Sequence, residues 1–209
     1  MSNGERLKMA TDSPVGYPPL AGSFAGIDTL GRDCRISPSV SVFREANPFA
    51  ASGIRLGDEV VLFDHVRLLL GGADARLELG DRVVINVGGY ISGEGGLFID
   101  DDVLIGPHVR LLSAGHQIHG HDQVVARNPI TYGPIRIGRG AWIAGGATIL
   151  EGLSIGEGAV VGAGSVVAHD VPAFAVAMGN PARVVHYREG HAPIRSWWRR
   201  LLAGGNRVR

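Results

Sequence analysis

Four histidines stand close together in the middle of the chain: His108, His116, His119 and His121. His116 closes the stretch "IGPHVRLLSAGH" and opens a polar run over residues 113–134, "SAGHQIHGHDQVVARNPITYGP". Imidazole titrates near neutrality, so a histidine here can take a proton from a hydroxyl or amine and return it to a leaving group. The same cluster also invites a three-histidine zinc site, although "HQIHGH" is not a specific zinc spacing. Upstream, Asn86 lies in "INVGGY" and Glu94 in "SGEGG". An Asn amide both donates and accepts hydrogen bonds. The competing readings are a ladder residue in a tight corner for Asn86 and a solvated turn residue for Glu94.

Those side chains need a rigid frame, and the frame is legible as a period. Over "IGRGAWIAGGATILEGLSIGEGAVVGAGSVV" an aliphatic residue returns at Ile137, Ile143, Ile149, Ile155, Val161 and Val167. A spacing of six fits neither a helix nor a lone strand. It fits a solenoid of short strands and turns. Shorter phases precede it: Ile36 and Val42, then Leu56, Leu62 and Leu68, then Leu79, Ile85, Ile91 and Leu97, then Ile99, Ile105 and Leu111. A second inward set follows four residues later, at Ala141, Ala147, Leu153, Ala159, Ser165 and Val171. Three such units make one triangular coil of roughly eighteen residues, stacked strand on strand at about 4.8 Å. The phase slips near residues 48–54, 70–78 and 97–99, and the run 113–134 reads as a long loop thrown out of the coil.

Composition narrows the class. The chain has 209 residues, 32 of them Gly, with 20 basic and 20 acidic side chains, a balance that argues against a nucleic-acid partner. The single cysteine, Cys34, excludes an intrachain disulfide framework. No apolar run approaches the roughly 20 residues of a membrane span and no signal peptide is evident, so the cytoplasm is the expected compartment. The expected organisation is an arm over 1–20, a solenoid domain over 21–187 and a tail over 188–209. In that tail Trp197, Trp198, Leu201 and Leu202 alternate with Arg195, Arg199 and Arg200 at helical spacing. A short basic amphipathic helix there caps the solenoid or packs on a neighbouring chain; attachment to a membrane surface is the minor alternative.

From about residue 56 to 187 the sequence resembles the hexapeptide-repeat acyltransferases, in the branch of galactoside, maltose and polysaccharide O-acetyltransferases. The period of six carries the resemblance, together with "VVINVGGYI", "IGPHVRLLSAGH", "AWIAGGATI", "VVGAGSVVAHDVP" and "GNPARVV". It implies an all-β, left-handed parallel β-helix, a homotrimer with active sites between subunits, and acetyl-CoA as donor with no metal required. His116 then becomes the general base that activates a sugar hydroxyl, with Asn86 and Glu94 lining the acceptor pocket. Relatives carry Asp where Glu94 stands, and some place a polar acceptor contact near Gly72. For the donor, the resemblance implies Gly145, Ala163, Gly164 and Ala168 along the pantetheine arm, Trp142 on the groove between chains, and Arg183 on the phosphates. His169 and His186 occupy positions where many relatives have Lys or Arg. N-acetylation of an amino sugar by the same machinery is the runner-up. A zinc γ-class carbonic anhydrase and a non-catalytic binding scaffold are the remaining readings.

Overall fold

A computed structural model describes residues 17–20, 22–44, 53–72, 75–119 and 122–191. The chain climbs in triangular coils. The first contains Thr29–Leu30 (β1), Arg35–Ile36 (β2) and Ser41–Arg44 (β3); the second Gly53–Leu56 (β4), Val61–Leu62 (β5) and Arg67–Leu70 (β6). The third contains Arg76–Leu79 (β7), Val84–Ile85 (β8) and Tyr90–Ser92 (β9); the fourth Leu97–Ile99 (β10), Leu104–Ile105 (β11) and Arg110–Leu111 (β12). An excursion follows, with Ala114–His116 (β13) and Ile130–Tyr132 (β14). Two more coils are built from Ile135–Ile137 (β15), Trp142–Ile143 (β16), Thr148–Ile149 (β17), Ser154–Ile155 (β18), Val160–Val161 (β19) and Val166–Val167 (β20). A closing hairpin, Ala175–Gly179 (β21) and Ala182–Tyr187 (β22), ends the stack.

Stacking produces three parallel sheets. Sheet 1 runs β1-β4-β7-β10-β15-β18, sheet 2 runs β2-β5-β8-β11-β16-β19-β21-β22, and sheet 3 runs β3-β6-β9-β12-β17-β20; only β22 in these sheets is antiparallel. The predicted column is the core: Leu62, Leu68, Ile85, Ile91, Leu97, Ile105, Leu111 and Ile143 have no exposed surface. Each such side chain contributes roughly 1.5–3 kcal/mol by leaving water. Ala141, Ala147, Ala159, Ser165 and Val171 are buried beside them, small where the triangle narrows. At the N-terminal end Leu20 packs on this core and the Tyr17 hydroxyl donates to Asp64 at 2.6 Å.

The coils are not all eighteen residues long. In sheet 1, Arg55 lies 26 residues beyond its partner Thr29, Glu78 23 beyond Arg55, Phe98 20 beyond Glu78, Arg136 38 beyond Phe98, and Ser154 18 beyond Arg136. All of the surplus enters at one corner, between sheet 3 and the next strand of sheet 1. The links at the corner between sheets 2 and 3 keep one length, as from Ile36 to Ser41, Ile85 to Tyr90 and Ile143 to Thr148. The corner between sheets 1 and 2 is stitched by an aspartate ladder. Asp101 accepts from the Asp81 N–H at 2.9 Å, Asp81 from the Asp58 N–H at 2.8 Å, and Asp58 from the Arg32 N–H at 2.8 Å. The polar run 113–134 is not a featureless loop. It holds the β13–β14 ribbon, a 3-10 turn at Val125–Arg127, and the buried Asn128, whose amide donates to the carbonyls of Gln117 and Asp122 at 2.9 and 3.0 Å. The predicted tail helix falls mostly on residues 192–209, outside the described residues, as do residues 1–16 of the arm.

Candidate active site

The ribbon decides where His116 points. Strands β13 and β14 pair antiparallel, with Ala114 opposite Tyr132, Gly115 opposite Thr131 and His116 opposite Ile130. Residues opposite each other in an antiparallel pair share a face, and successive residues alternate. One face therefore carries Ala114, His116, Ile130 and Tyr132, and the other carries Gly115 and Thr131. The inner face is seated on Glu151. The Thr131 hydroxyl donates to Glu151 Oε1 at 2.8 Å, and a Cβ on Gly115 would stand only 2.9 Å from Oε2. That second oxygen is buried and has no hydrogen-bond partner within one chain. On the outer face His116 is exposed, and Ile130 and Tyr132 are half-exposed at 49% and 51%.

Glu94 belongs to the same corner. It is half-buried, and its Oε2 accepts from the Ser92 hydroxyl at 2.9 Å. The buried Ser113 hydroxyl donates to the Ser92 carbonyl at 2.8 Å and accepts from the Gly95 N–H at 3.0 Å, tying this turn to the root of the ribbon. Gly95 in turn lies hard against Gly133, the residue after Tyr132. Ala168 and His169, after β20, sit at this same corner two coils on.

Asn86 lies elsewhere. It follows β8 at the corner between sheets 2 and 3, its backbone N–H donating to the Ile105 carbonyl at 2.9 Å. Gly145, Ala163 and Gly164 occupy that edge in the last two coils, and His108 occupies it in the fourth. Sheet 3 separates the two edges, so within one chain Asn86 and His116 are not brought together; nor are His108 and His116, the first two histidines of the zinc reading. His121 lies outside the described residues, and no three potential metal ligands cluster among those described.

The edge along Gly145, Ala163 and Gly164 is lined by small residues. A Cβ on Gly164 would meet nothing within 4 Å. Beside it on sheet 3, Arg110 donates to the hydroxyl of its ladder partner Thr148 at 3.0 Å. Trp142 is exposed on sheet 2, in one row with the half-buried Leu104 and Val160. Arg183 and His186 are exposed on β22 at the end of that sheet, with Met178, Val184 and Val185 as exposed apolar neighbours on the hairpin. The residues that sequence reasoning did not single out are Glu151, Thr131 and Tyr132. Their roles depend on pairings across the loop, and only an aromatic ring in a polar run gave any signal.

This combination defines a class of protein, the parallel β-helix of hexapeptide repeats. Residues 134–169 match the bacterial transferase hexapeptide family, six repeats in all. A curated relative, nodulation protein L of Rhizobium leguminosarum bv. viciae, is 47% identical over 109 residues, which is 52% of this chain and 56% of that protein. The chain thus spans little more than half the length of this relative. Among solved structures, AntD from Bacillus cereus, an N-acyltransferase crystallised with dTDP and coenzyme A, superposes with a TM-score of 0.65 at 21% identity, covering 85% of this chain and 92% of AntD. Perosamine N-acetyltransferase from Caulobacter crescentus, in complex with CoA and GDP-perosamine, gives a TM-score of 0.50 at 25% identity over 72% of this chain and 55% of that one. The fold is the left-handed parallel β-helix. Among the described residues no helix is long and apolar enough to cross a membrane.

Proposed function

We propose that the chain is a CoA-dependent acyltransferase that acylates a sugar. One observation carries this reading: an exposed histidine, His116, stands on the outer face of a braced ribbon at the corner that also bears Glu94. His116 takes the proton of the attacking hydroxyl or amine and returns one to the departing thiolate. Bound acetyl-CoA supplies the thioester carbonyl as electrophile. Glu94 accepts hydrogen bonds from acceptor hydroxyls and fixes their orientation. The small residues Gly145, Ala163 and Gly164, with open space at Gly164, suit a slender pantetheine arm, and Arg183 offers a forked cation for phosphate.

The separation of Asn86 from His116 supports a homotrimer. If copies pack around a threefold axis, the Asn86 edge of one chain meets the His116 corner of its neighbour. The row Leu104, Trp142 and Val160 and the exposed Met178, Val184 and Val185 supply apolar surface for such packing.

The resemblance around His116 favours a hydroxyl acceptor. The solved relatives AntD and perosamine N-acetyltransferase are named N-acyltransferases, which favours an amino sugar. Matched hydroxyl and amino sugars with acetyl-CoA separate the two, because an ester product is cleaved by mild base and an amide is not. His116→Ala lowers turnover by about 10²–10⁴-fold with assembly unchanged by light scattering. Near-full activity in that variant removes His116 from the mechanism.

A further inference from the structure

We infer that Tyr132 is the platform on which the ring of the acceptor lies, and that it selects acceptors with an apolar pyranose face; this rests on the acyl-transfer reading of His116. Three observations converge. First, Tyr132 shares the outer face of the ribbon with His116 and stands one diagonal step from it, about 7–8 Å on a pleated pair. A pyranose laid on the tyrosine therefore carries its substituents toward the imidazole.

Second, the ring is both supported and open. It lies over Gly72, where a Cβ would stand 3.2–3.3 Å from Cε1, Cζ and Oη of Tyr132. Gly72 has φ +97, a conformation other residues rarely adopt, so the backbone beneath the ring is bare for two reasons. About half of the residue remains exposed, on a paired strand rather than a free loop. A half-exposed aromatic held this way is pre-organised for stacking, because little rotamer freedom is lost on contact.

Third, Glu94 sits at the same corner, reached through the close contact of Gly95 with Gly133. A carboxylate that only accepts, at the same corner as an aromatic face, suits the two sides of a pyranose: hydroxyl edges for the carboxylate and C–H faces for the ring.

Binding and turnover are tested separately. Saturation-transfer NMR and calorimetry with a panel of hexopyranosides and amino-hexopyranosides are run on the full-length chain, on Tyr132→Ala, on Tyr132→Phe and on Gly72→Ser. Wild type binds at least one pyranoside of the panel. Tyr132→Ala weakens that binding about tenfold or more, the size of one lost stacking contact. Tyr132→Phe keeps it, and Gly72→Ser, which pushes the ring off its seat, behaves like the alanine variant at an unchanged fold by circular dichroism. In turnover, Tyr132→Ala raises KM for the pyranoside while KM for acetyl-CoA and the rate with an acyclic amino alcohol stay within about twofold. Equal pyranoside affinity in wild type and Tyr132→Ala overturns the platform, even when acetyl transfer proceeds. Absence of any pyranoside binding to wild type overturns it as well. Tyrosine-dependent binding without acetyl transfer upholds the platform and sinks the acyltransferase reading instead.

Discussion

Gly115→Ala is the sharpest probe of how the ribbon is held. The added methyl carbon would stand 2.9 Å from Glu151 Oε2 and 3.2 Å from Thr131 Oγ1. Ordinary contact needs about half an ångström more on the carboxylate side, so either Glu151 swings away or the ribbon lifts. Both routes disturb the 2.8 Å bond from Thr131 to Glu151, worth about 1.5–3 kcal/mol for a charged acceptor. At about 2–4 °C per kcal/mol for a chain of this size, the melting temperature falls by about 3–12 °C. The effect on chemistry is larger in proportion. A reacting group misplaced by 1 Å costs about 10²-fold, so a half-ångström lift of the strand bearing His116 lowers kcat about tenfold. Thiol release from acetyl-CoA, followed with a chromogenic disulfide, reads kcat, and differential scanning fluorimetry reads the melting temperature. Glu151→Ala in the same chain removes the obstruction, so the double variant matches Glu151→Ala alone rather than adding the two losses. If the two losses multiply instead, the methyl and the carboxylate do not meet and the account of the brace is wrong.

Acid sensitivity follows from carboxylates held below their ordinary range, Asp64 and Asp102 among them. The Ser37 hydroxyl, then those of Tyr17 and Ser39, hold Asp64 below the usual range, and the Arg82 guanidinium, then Arg139, does the same for Asp102. A folded-state pKa below the unfolded value of about 3.9 gives stability that is complete above that value and lost as pH falls through the folded one. The melting temperature is therefore flat from neutrality to about pH 5 and drops below about pH 4, less steeply in Asp64→Asn; an identical slope in that variant removes Asp64 from the explanation. On the other edge, Gly164→Asp places a negative charge where an added Cβ meets no neighbour. Asp tolerates the φ of +66 better than most residues, so the fold persists while KM for acetyl-CoA rises about tenfold or more; an unchanged KM takes that edge out of the donor site.

The sequence stated the core outright. Ile85, Ile105 and Ile143 follow a period that only a coil of short strands produces, and they fill its axis. The slips near 48–54, 70–78 and 97–99 were visible, but as separate irregularities. That they and the run 113–134 enter at one corner is fixed by the strand pairing, because corner identity depends on counting coils whose lengths differ. Asn86 stands thirty residues before His116, which is no whole number of eighteen-residue coils, and the two indeed occupy different edges. The ribbon inside the polar run was not legible. Its strands are three residues each, too short for alternation to register, and each finds its partner across a loop. Glu151 read as one more turn residue of the repeat, since its contact with Thr131 joins positions 20 residues apart. Tyr132 was hidden for the same reason, its seat on Gly72 being wholly non-local.

The confinement of every added residue to one corner has a consequence for how such a molecule changes over time. Lengthening the chain there leaves the pitch of the stack and the spacing of the opposite edge untouched, so the surroundings of His116 and Glu94 can be rewritten by insertion without re-tuning the edge along Gly145 and Gly164. With the acceptor placed as proposed, grafting a different segment between Leu111 and Ile135 would give a protein of this build a new acceptor while the remaining coils stay as they are.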